Sequence, residues 1–339
     1  MLDIITSKDE WQTILNNISE YDFYHTYDYH RISKNEEETA VLIVYKEKRH
    51  LIALPLLIRR IPDTDYFDAT SVWGYTGPLC KNINDKFDNS DFINQFNAYL
   101  KLNNIISVFS RLNPFLKNQN EILKNAGSIE VLHQVVNIDL TLSIKDQRTI
   151  FSKTTKRYIN KYKKLFDFRT GSNDEDINIF LNLYHENMDR VNAKKTYYFN
   201  RQYIKNIINS KDYQTDLIFA LHKETNEIAS AAMMIKSNNI IQYHISGTKN
   251  KFLHLTPIRH IIDEMRIKGT EENYKYFNLG GGLGNVQDDL FRFKASFSKD
   301  FKSFQVWKYI ANKEVYNSFV KEKQMYLNTD FFPLYRYTD

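Results

Sequence analysis

Two hairpin-like passages of this chain align residue for residue, and that repetition restricts the fold more than any other feature. Residues Ala40 to Tyr45 are apolar and rich in β-branched side chains, Lys46-Glu47-Lys48-Arg49-His50 is polar, and Leu51 to Ile58 is apolar again. The same layout recurs at Leu217 to Leu221, Lys223 to Glu227 and Ile228 to Ile235. With Lys46-Glu47 set on Lys223-Glu224 the strands align without gaps: Leu51 meets Ile228, Leu56 meets Met233 and Ile58 meets Ile235. Apolar runs split by a short polar turn predict a β-hairpin. Hairpins share patterns, so the surroundings have to decide. A helical segment precedes each one (Lys8 to Ile18; Asp176 to Arg190). A helix and then an apolar strand follow each one (Asp91 to Leu102, then Ile105 to Phe109; Pro257 to Ile267, then Tyr274 to Leu279). The chain therefore reads as a duplicated α/β (α+β) unit, divided into residues 1–150 and 151–339. The last third alternates likewise, with a strand from Phe301 to Ile310 and a helix from Glu314 to Tyr326.

The length of 339 residues agrees with two domains, because single cores stop growing near about 250–300 residues. A net charge of +5 suits phosphates or anionic lipid headgroups without demanding them. A strong nucleic-acid binder is more basic, and DNA is not an expected partner. Cys80 is the only cysteine, so no internal disulfide is possible and a reducing cytoplasm is expected. After Pro78-Leu79 it reads as a buried, unreactive thiol. Met1 to Glu20 is polar and mixed in charge, unlike a signal peptide. No apolar run approaches the ~20 residues that span a bilayer. The expectation is a cytoplasmic protein able to visit the inner face of the membrane.

At the join, the segment 152–166 is expected to be a basic linking helix. Ser152 to Lys164 carries six cations and no anion. Tyr158, Ile159, Tyr162, Leu165 and Phe166 give it one apolar side. It reads equally as a solvated linker and as a clamp for phosphates or polyanions.

Four of the chain's ten glycines fall between Gly280 and Gly284, directly after the apolar strand ending in Asn278-Leu279. Adjacent glycines can expose several amide N–H groups to an anion or a carbonyl oxygen; alone they are equally a turn with left-handed dihedrals. Asp288 and Asp289 then stand where a helix N-terminus welcomes negative charge. Leu290, Phe293, Ala295 and Phe297 are apolar, with Arg292 and Lys294 beside them. The run lacks the Lys-Ser/Thr of a P-loop. Alternation along Ile240 to Gly247 sets Gln242, His244 and Ser246 on one face and Tyr243 and Ile245 on the other. A lone histidine is usually structural, but three polar groups on one strand face suggest a lined site. Asp68 to Pro78 is either a turn-rich connection or an aromatic wall, with Tyr75 in the wall and Asp68 holding an acceptor amine or hydroxyl. Arg190 is either a surface ion pair or a planar fork for phosphate. No metal is expected: the nine histidines are scattered, and His254 with His260 lacks i,i+4 spacing. No G-x-S-x-G elbow is present.

At these residues the chain resembles the Fem-like branch of the GNAT acyltransferase superfamily. The strongest element is Asn278-Leu279-Gly280-Gly281-Gly282 followed by Asp289-Leu290-Phe291-Arg292-Phe293-Lys294 and Phe297; Asp68 to Pro78, Tyr243 to Gly247 and Pro257 support it. The resemblance covers nearly the whole chain. It implies two tandem GNAT-like domains, each a mixed central sheet flanked by helices. It implies transfer of an acyl or aminoacyl group to an amine, without a tightly bound cofactor. Acyl-CoA or aminoacyl-tRNA would be the donor co-substrate, and a nucleotide- or lipid-linked sugar the acceptor. In Fem-type enzymes the lysine matched by Lys294 is thought to stabilise developing negative charge. The pyrophosphate loop of simple GNAT enzymes is missing before Pro257, where Leu253-His254-Leu255-Thr256 stands, and this puts CoA as donor in doubt.

With the resemblance, these readings combine into direct aminolysis on a cell-surface glycan or cell-wall precursor, as in cell-wall, polysaccharide or lipopolysaccharide assembly. Asp68, His244 or Asp289 would take the amine's proton. Lys294 and the amides of Gly280, Gly281 and Gly282 would stabilise the oxyanion. Asn278, Tyr243, Ser246, Tyr75, Arg190 and Arg292 would line the donor and acceptor sites. The alternative is a protein of the same fold that binds a glycan precursor or tRNA without transferring anything.

Overall fold

A computed structural model describes residues 1–339 apart from 172, 284–286, 323–328 and 338–339. The chain forms two compact units, one of residues 1–132 and 303–339, the other of residues 133–302. The sequence placed a single boundary at 150. The difference arises because the chain's last segment returns to pack in the first unit.

The first unit opens with strand β1 (Leu2–Ile5), helices α1 (Lys8–Ile18) and α2 (Tyr27–Ser33), and the hairpin β2 (Thr39–Glu47) and β3 (His50–Arg60). Short strands β4 (Phe67–Thr70) and β5 (Leu79–Lys81), helix α3 (Ser90–Leu102), strand β6 (Ile105–Arg111) and helix α4 (Gln119–Leu123) follow. Strand β7 (Ser128–Asp139) leads into the second unit. Strands β1, β2, β3, β4 and β6 are neighbours in that order; β4 and β6 are parallel and the other pairs antiparallel. Along β2, Val41, Ile43 and Tyr45 pack with Phe92, Phe96 and Leu100 of α3, while Leu42 and Val44 pack with Trp11, Leu15 and Ile18 of α1. Both faces of β2 are covered, which is why its apolar run is continuous rather than alternating.

The second unit continues with α5 (Ile144–Ile150), α6 (Lys153–Tyr162), β8 (Phe166–Gly171), α7 (Asp174–Arg190) and α8 (Arg201–Asn209). The second hairpin, β9 (Gln214–His222) and β10 (Glu227–Ser237), is followed by β11 (Ile240–Thr248), α9 (Pro257–Glu271), β12 (Tyr276–Gly280), α10 (Asp289–Lys294) and β13 (Asp300–Ile310). Its strand order is β7-β12-β11-β10-β9-β8, with β11 and β12 parallel. Ile241, Met234 and Phe277 pack with Ile261, Ile262 and Met265 of α9 in one core cluster. On α7, Leu183 comes so close to β11 that a Cβ on Gly247 would lie 2.3 Å from its backbone, so only glycine fits there. The expected linking helix, α6, is part of this unit. Ser152 caps it by accepting from Thr155 N at 3.1 Å, and Thr155 and Ile159 are buried.

The two hairpins match as expected but differ at their tips. The first turns in two residues, since Glu47 pairs with His50; the second takes four, since His222 pairs with Glu227, and a bulge at Ala229 follows. The chain then re-enters the first unit through β13, antiparallel to β6, and helix α11 (Lys313–Glu322). Trp307 of β13 is fully buried in the same core as Phe96 and Val108. Mixed sheets flanked by helices, twice over, are the architecture the sequence called for.

Candidate functional site

Strands β11 and β12 pair over only three positions, Ile240 with Tyr276, Ile241 with Phe277 and Gln242 with Asn278. Beyond these, β11 runs on to Thr248 while β12 ends at Gly280. The break is built by side chains. Asn278, fully buried, donates from Nδ2 to Gln242 Oε1 at 2.8 Å and accepts from Gly280 N at 2.9 Å. Gly280 takes φ +78°, a left-handed turn that glycine enters without a Cβ penalty.

The chain then passes Gly281, buried against His133, and half-buried Gly282 before entering α10. Asp288 caps α10 by accepting from Phe291 N at 2.8 Å, and its second oxygen accepts from Leu283 N at 3.0 Å. Burial works against the charge of Asp288, but these amides and the Lys294 and Arg292 cations outweigh it and hold its carboxyl below the usual range. Phe291 and Phe297 anchor the segment in the core. That anchoring turns Lys294 inward: it is 8% exposed, and its Nζ donates to the carbonyl of Gly281 at 2.7 Å. Burial draws its pKa down to about 8, with Asp288 opposing the shift. Gly284 lies outside the described residues.

Two residues past the last position of β11 paired with β12, a bulge at His244 interrupts the alternation expected from the sequence. Tyr243 packs on the α9 side, and its hydroxyl lies 2.5 Å from Ser246 Oγ. Ser246 therefore shares a side with Tyr243 rather than with Gln242, because the bulge advances the side-chain phase by one residue. His244 instead meets α8, where its Nε2 lies 3.1 Å from Tyr203 Oη. Burial lowers its pKa to about 4, so the ring is neutral at physiological pH.

The other expected site residues have different surroundings. Asp289 and Arg292 form an exposed i,i+3 pair at 2.6 Å on the outside of α10. Arg190 is neither a surface ion pair nor an open fork: its guanidinium donates to Thr248 O at 3.1 Å, to Asn250 Oδ1 at 2.8 Å and to Asn187, fastening α7 to the end of β11. Asp68 and Tyr75 belong to the first unit. Asp68 is fully buried; it accepts from Arg59 Nε at 2.7 Å, from Tyr335 Oη at 3.1 Å and from Arg336 Nε. With both oxygens engaged it holds the returning segment in place. Tyr75 packs edge-on against Tyr24 and Phe304, and its carbonyl accepts from Asn113. The Cys80 thiol is pushed up to about 11 by burial, as suits an unreactive cysteine. No group of three metal-ligating side chains occurs among the described residues.

One residue of the site escaped the sequence reading. Arg259, in the first turn of α9, lies 4.7 Å from the ring centre of Phe293, 5.8 Å from Phe297 and 5.9 Å from Tyr158. Its Nη1 donates to Thr155 Oγ1 at 2.7 Å and to Ser296 Oγ at 3.0 Å. It thereby ties the end of α10 to α9 and α6. Just before it, Thr256 occupies a left-handed conformation (φ +50°) at the start of α9. A proline after a polar turn was the only sequence signal for this corner.

The mixed sheets, their parallel break and the glycine turn define an α/β protein of two compact units. More particularly, the fold is similar to that of FemX. A crystal structure of FemX superposes with a TM-score of 0.73 at 12% identity, over 93% of this chain and 99% of that one. A Bacteroides thetaiotaomicron protein of unknown function superposes with a TM-score of 0.60 at 11% identity, over 91% of this chain and 100% of that one. No protein-family model and no curated protein matches the sequence. Among the described residues no helix is long and apolar enough to cross a membrane.

Proposed function

We propose that the chain transfers an acyl or aminoacyl group to an amine by direct aminolysis, and that the amine belongs to a cell-surface glycan or cell-wall precursor. The observation that carries this reading is the buried Lys294 ammonium beside the Gly281 carbonyl, at the point where β11 and β12 part. A carbonyl under attack gains negative charge, and a desolvated ammonium stabilises that charge far better than a hydrated one. The donor's reacting carbonyl lies in the opening between the two strands, within reach of Lys294. The amine's proton goes to the neutral imidazole of His244, which Tyr203 orients. The tetrahedral intermediate then collapses by breaking the donor's thioester or ester bond, and the leaving group carries the donor's CoA or tRNA away. No nucleophilic side chain of the protein is required.

The test incubates purified protein with labelled acyl-CoA or aminoacyl-tRNA and a set of nucleotide- and lipid-linked amino sugars. Amide formation that falls about 10²–10³-fold in Lys294→Met is the expected outcome. Turnover unchanged by that substitution removes Lys294 from the mechanism. Binding of precursor or tRNA with no transfer under any donor leaves the chain a binding protein.

A further inference from the structure

The geometry points to the outer face of α5 and α6 as a docking surface for the anionic phospholipid headgroups of a bilayer. This inference deepens the reading above, since it concerns where a lipid-linked acceptor is met.

On helix α6, Thr155 and Ile159 are buried, Lys153, Arg157 and Asn160 are exposed at helical spacing, and Lys156 is half-buried between them. Lys161, Lys163 and Lys164 extend the charge past its end. Many other cations of the unit are paired with carboxylates: Arg169 with Asp176, Lys223 with Asp167, Lys249 and Lys251 with Glu227, Lys268 with Asp216, Arg292 with Asp289. Among the described residues the six cations of 153–164 form no ion pair. Asp146 on α5 is capped by Ser143, and Glu264 on α9 is the carboxylate that Lys163 faces. Neither offsets the set.

The adjoining surface separates a bilayer from a nucleic acid. Lys156 Nζ reaches the carbonyl of Thr149 at 2.9 Å, and Arg148 reaches Asn160 at 2.8 Å, so α5 lies alongside the cationic face. At the two ends of α5, Leu142 and Ile150 are exposed large aliphatic residues. Exposed aliphatics beside unpaired lysines gain by entering the headgroup–acyl boundary, and gain nothing from a phosphodiester backbone. Tyr158 and Tyr162, half-buried beneath Arg157 and Lys161, give the face the amphipathic rings that favour this depth.

Co-sedimentation with vesicles tests the assignment. The protein should bind mixed phosphatidylcholine–phosphatidylglycerol vesicles, ignore pure phosphatidylcholine, and detach as salt rises. The triple variant Lys153→Gln, Arg157→Gln, Lys161→Gln should bind roughly 100-fold more weakly, about five-fold per cation. A Lys101→Gln, Lys313→Gln control, with surface charge removed from the first unit, should bind as wild type. Ile150→Ser should weaken binding several-fold. The proposal is overturned if the triple variant binds like wild type, if no vesicle is bound, or if a short RNA duplex is bound at a salt concentration that abolishes vesicle binding. Vesicle binding needs no transfer, so its failure would leave the Lys294 assay to be decided on its own.

Discussion

Lys294 Nζ lies 2.7 Å from the carbonyl oxygen of Gly281, thirteen residues back along the chain. The contact closes the loop between β12 and α10 and fixes a buried cation at a backbone already bent by Gly280.

The first prediction concerns pH. Burial lowers the Lys294 pKa from the ordinary lysine value to about 8, so its charge is present below that pH and lost above it. If the ammonium stabilises the transition state, the rate should fall as pH rises through about 8. Asp288 raises the Lys294 pKa, so Asp288→Asn, which still caps a helix, should shift the falling limb to lower pH. A pH–rate profile of both proteins checks this.

A second prediction follows from the same burial. Unfolded Lys294 keeps its proton to its ordinary pKa, whereas the folded residue releases it near 8. At neutral pH its burial therefore opposes folding. Lys294→Met should be at least as stable as the parent in urea unfolding while transferring far more slowly. A site residue that costs stability is the pattern expected where function sets the choice.

Asp68 should behave oppositely. Removing one partner of a buried ion pair costs about 3–5 kcal/mol. Asp68→Ala should destabilise the first unit by that order and leave the falling limb of the pH profile in place. Arg336→Ala should share most of the loss, so the double variant should be little worse than Asp68→Ala alone. Urea titrations of the three variants measure the coupling.

Arg259 is expected to matter for both properties. A guanidinium in partly desolvated contact with aromatic rings contributes about 2 kcal/mol. Arg259→Met should lower stability by about that amount and also slow transfer, because α10 loses its tie to α6. Arg259→Lys should recover part of the stability but less of the rate, since an ammonium cannot lie flat across the rings. Paired unfolding and rate measurements test the split.

Acid should loosen the first unit. His25 and His30 are fully buried, and burial lowers their pKa values from 6.5 to about 4 and about 3. Below pH 6.5 the unfolded chain binds protons that the folded chain refuses, so stability falls with pH until the folded values are reached. The slope is about 1.4 kcal/mol per pH unit for each neutral ring. His30→Phe, which keeps an aromatic ring against Trp11, should flatten that slope in thermal melts between pH 6 and pH 4.

The sequence displayed the duplicated hairpins clearly, because strands covered on both faces leave continuous apolar runs. It displayed the glycine turn and Lys294 because few residues tolerate left-handed backbone. It did not display short β4 and β5, whose pairing is set by their neighbours, or β7, whose first half is largely unburied. Alternation misassigned Ser246 because a bulge leaves no mark in a single sequence. Arg259 was missed because its aromatic partners are scattered over Tyr158, Phe293 and Phe297. The domain boundary was misplaced for a related reason: nothing local in Trp307 or Tyr335 says that their partners are Phe96 and Ser107.

Because β13 carries Trp307 into the first unit and Arg336 reaches Asp68, residues 1–132 cannot complete their core until residues 303–336 have been made. The nascent first unit waits with an uncovered sheet edge and a half-compensated carboxylate while residues 133–302 are made. A chain cut after residue 302 would keep the glycine turn and still lack the residues that close the first unit.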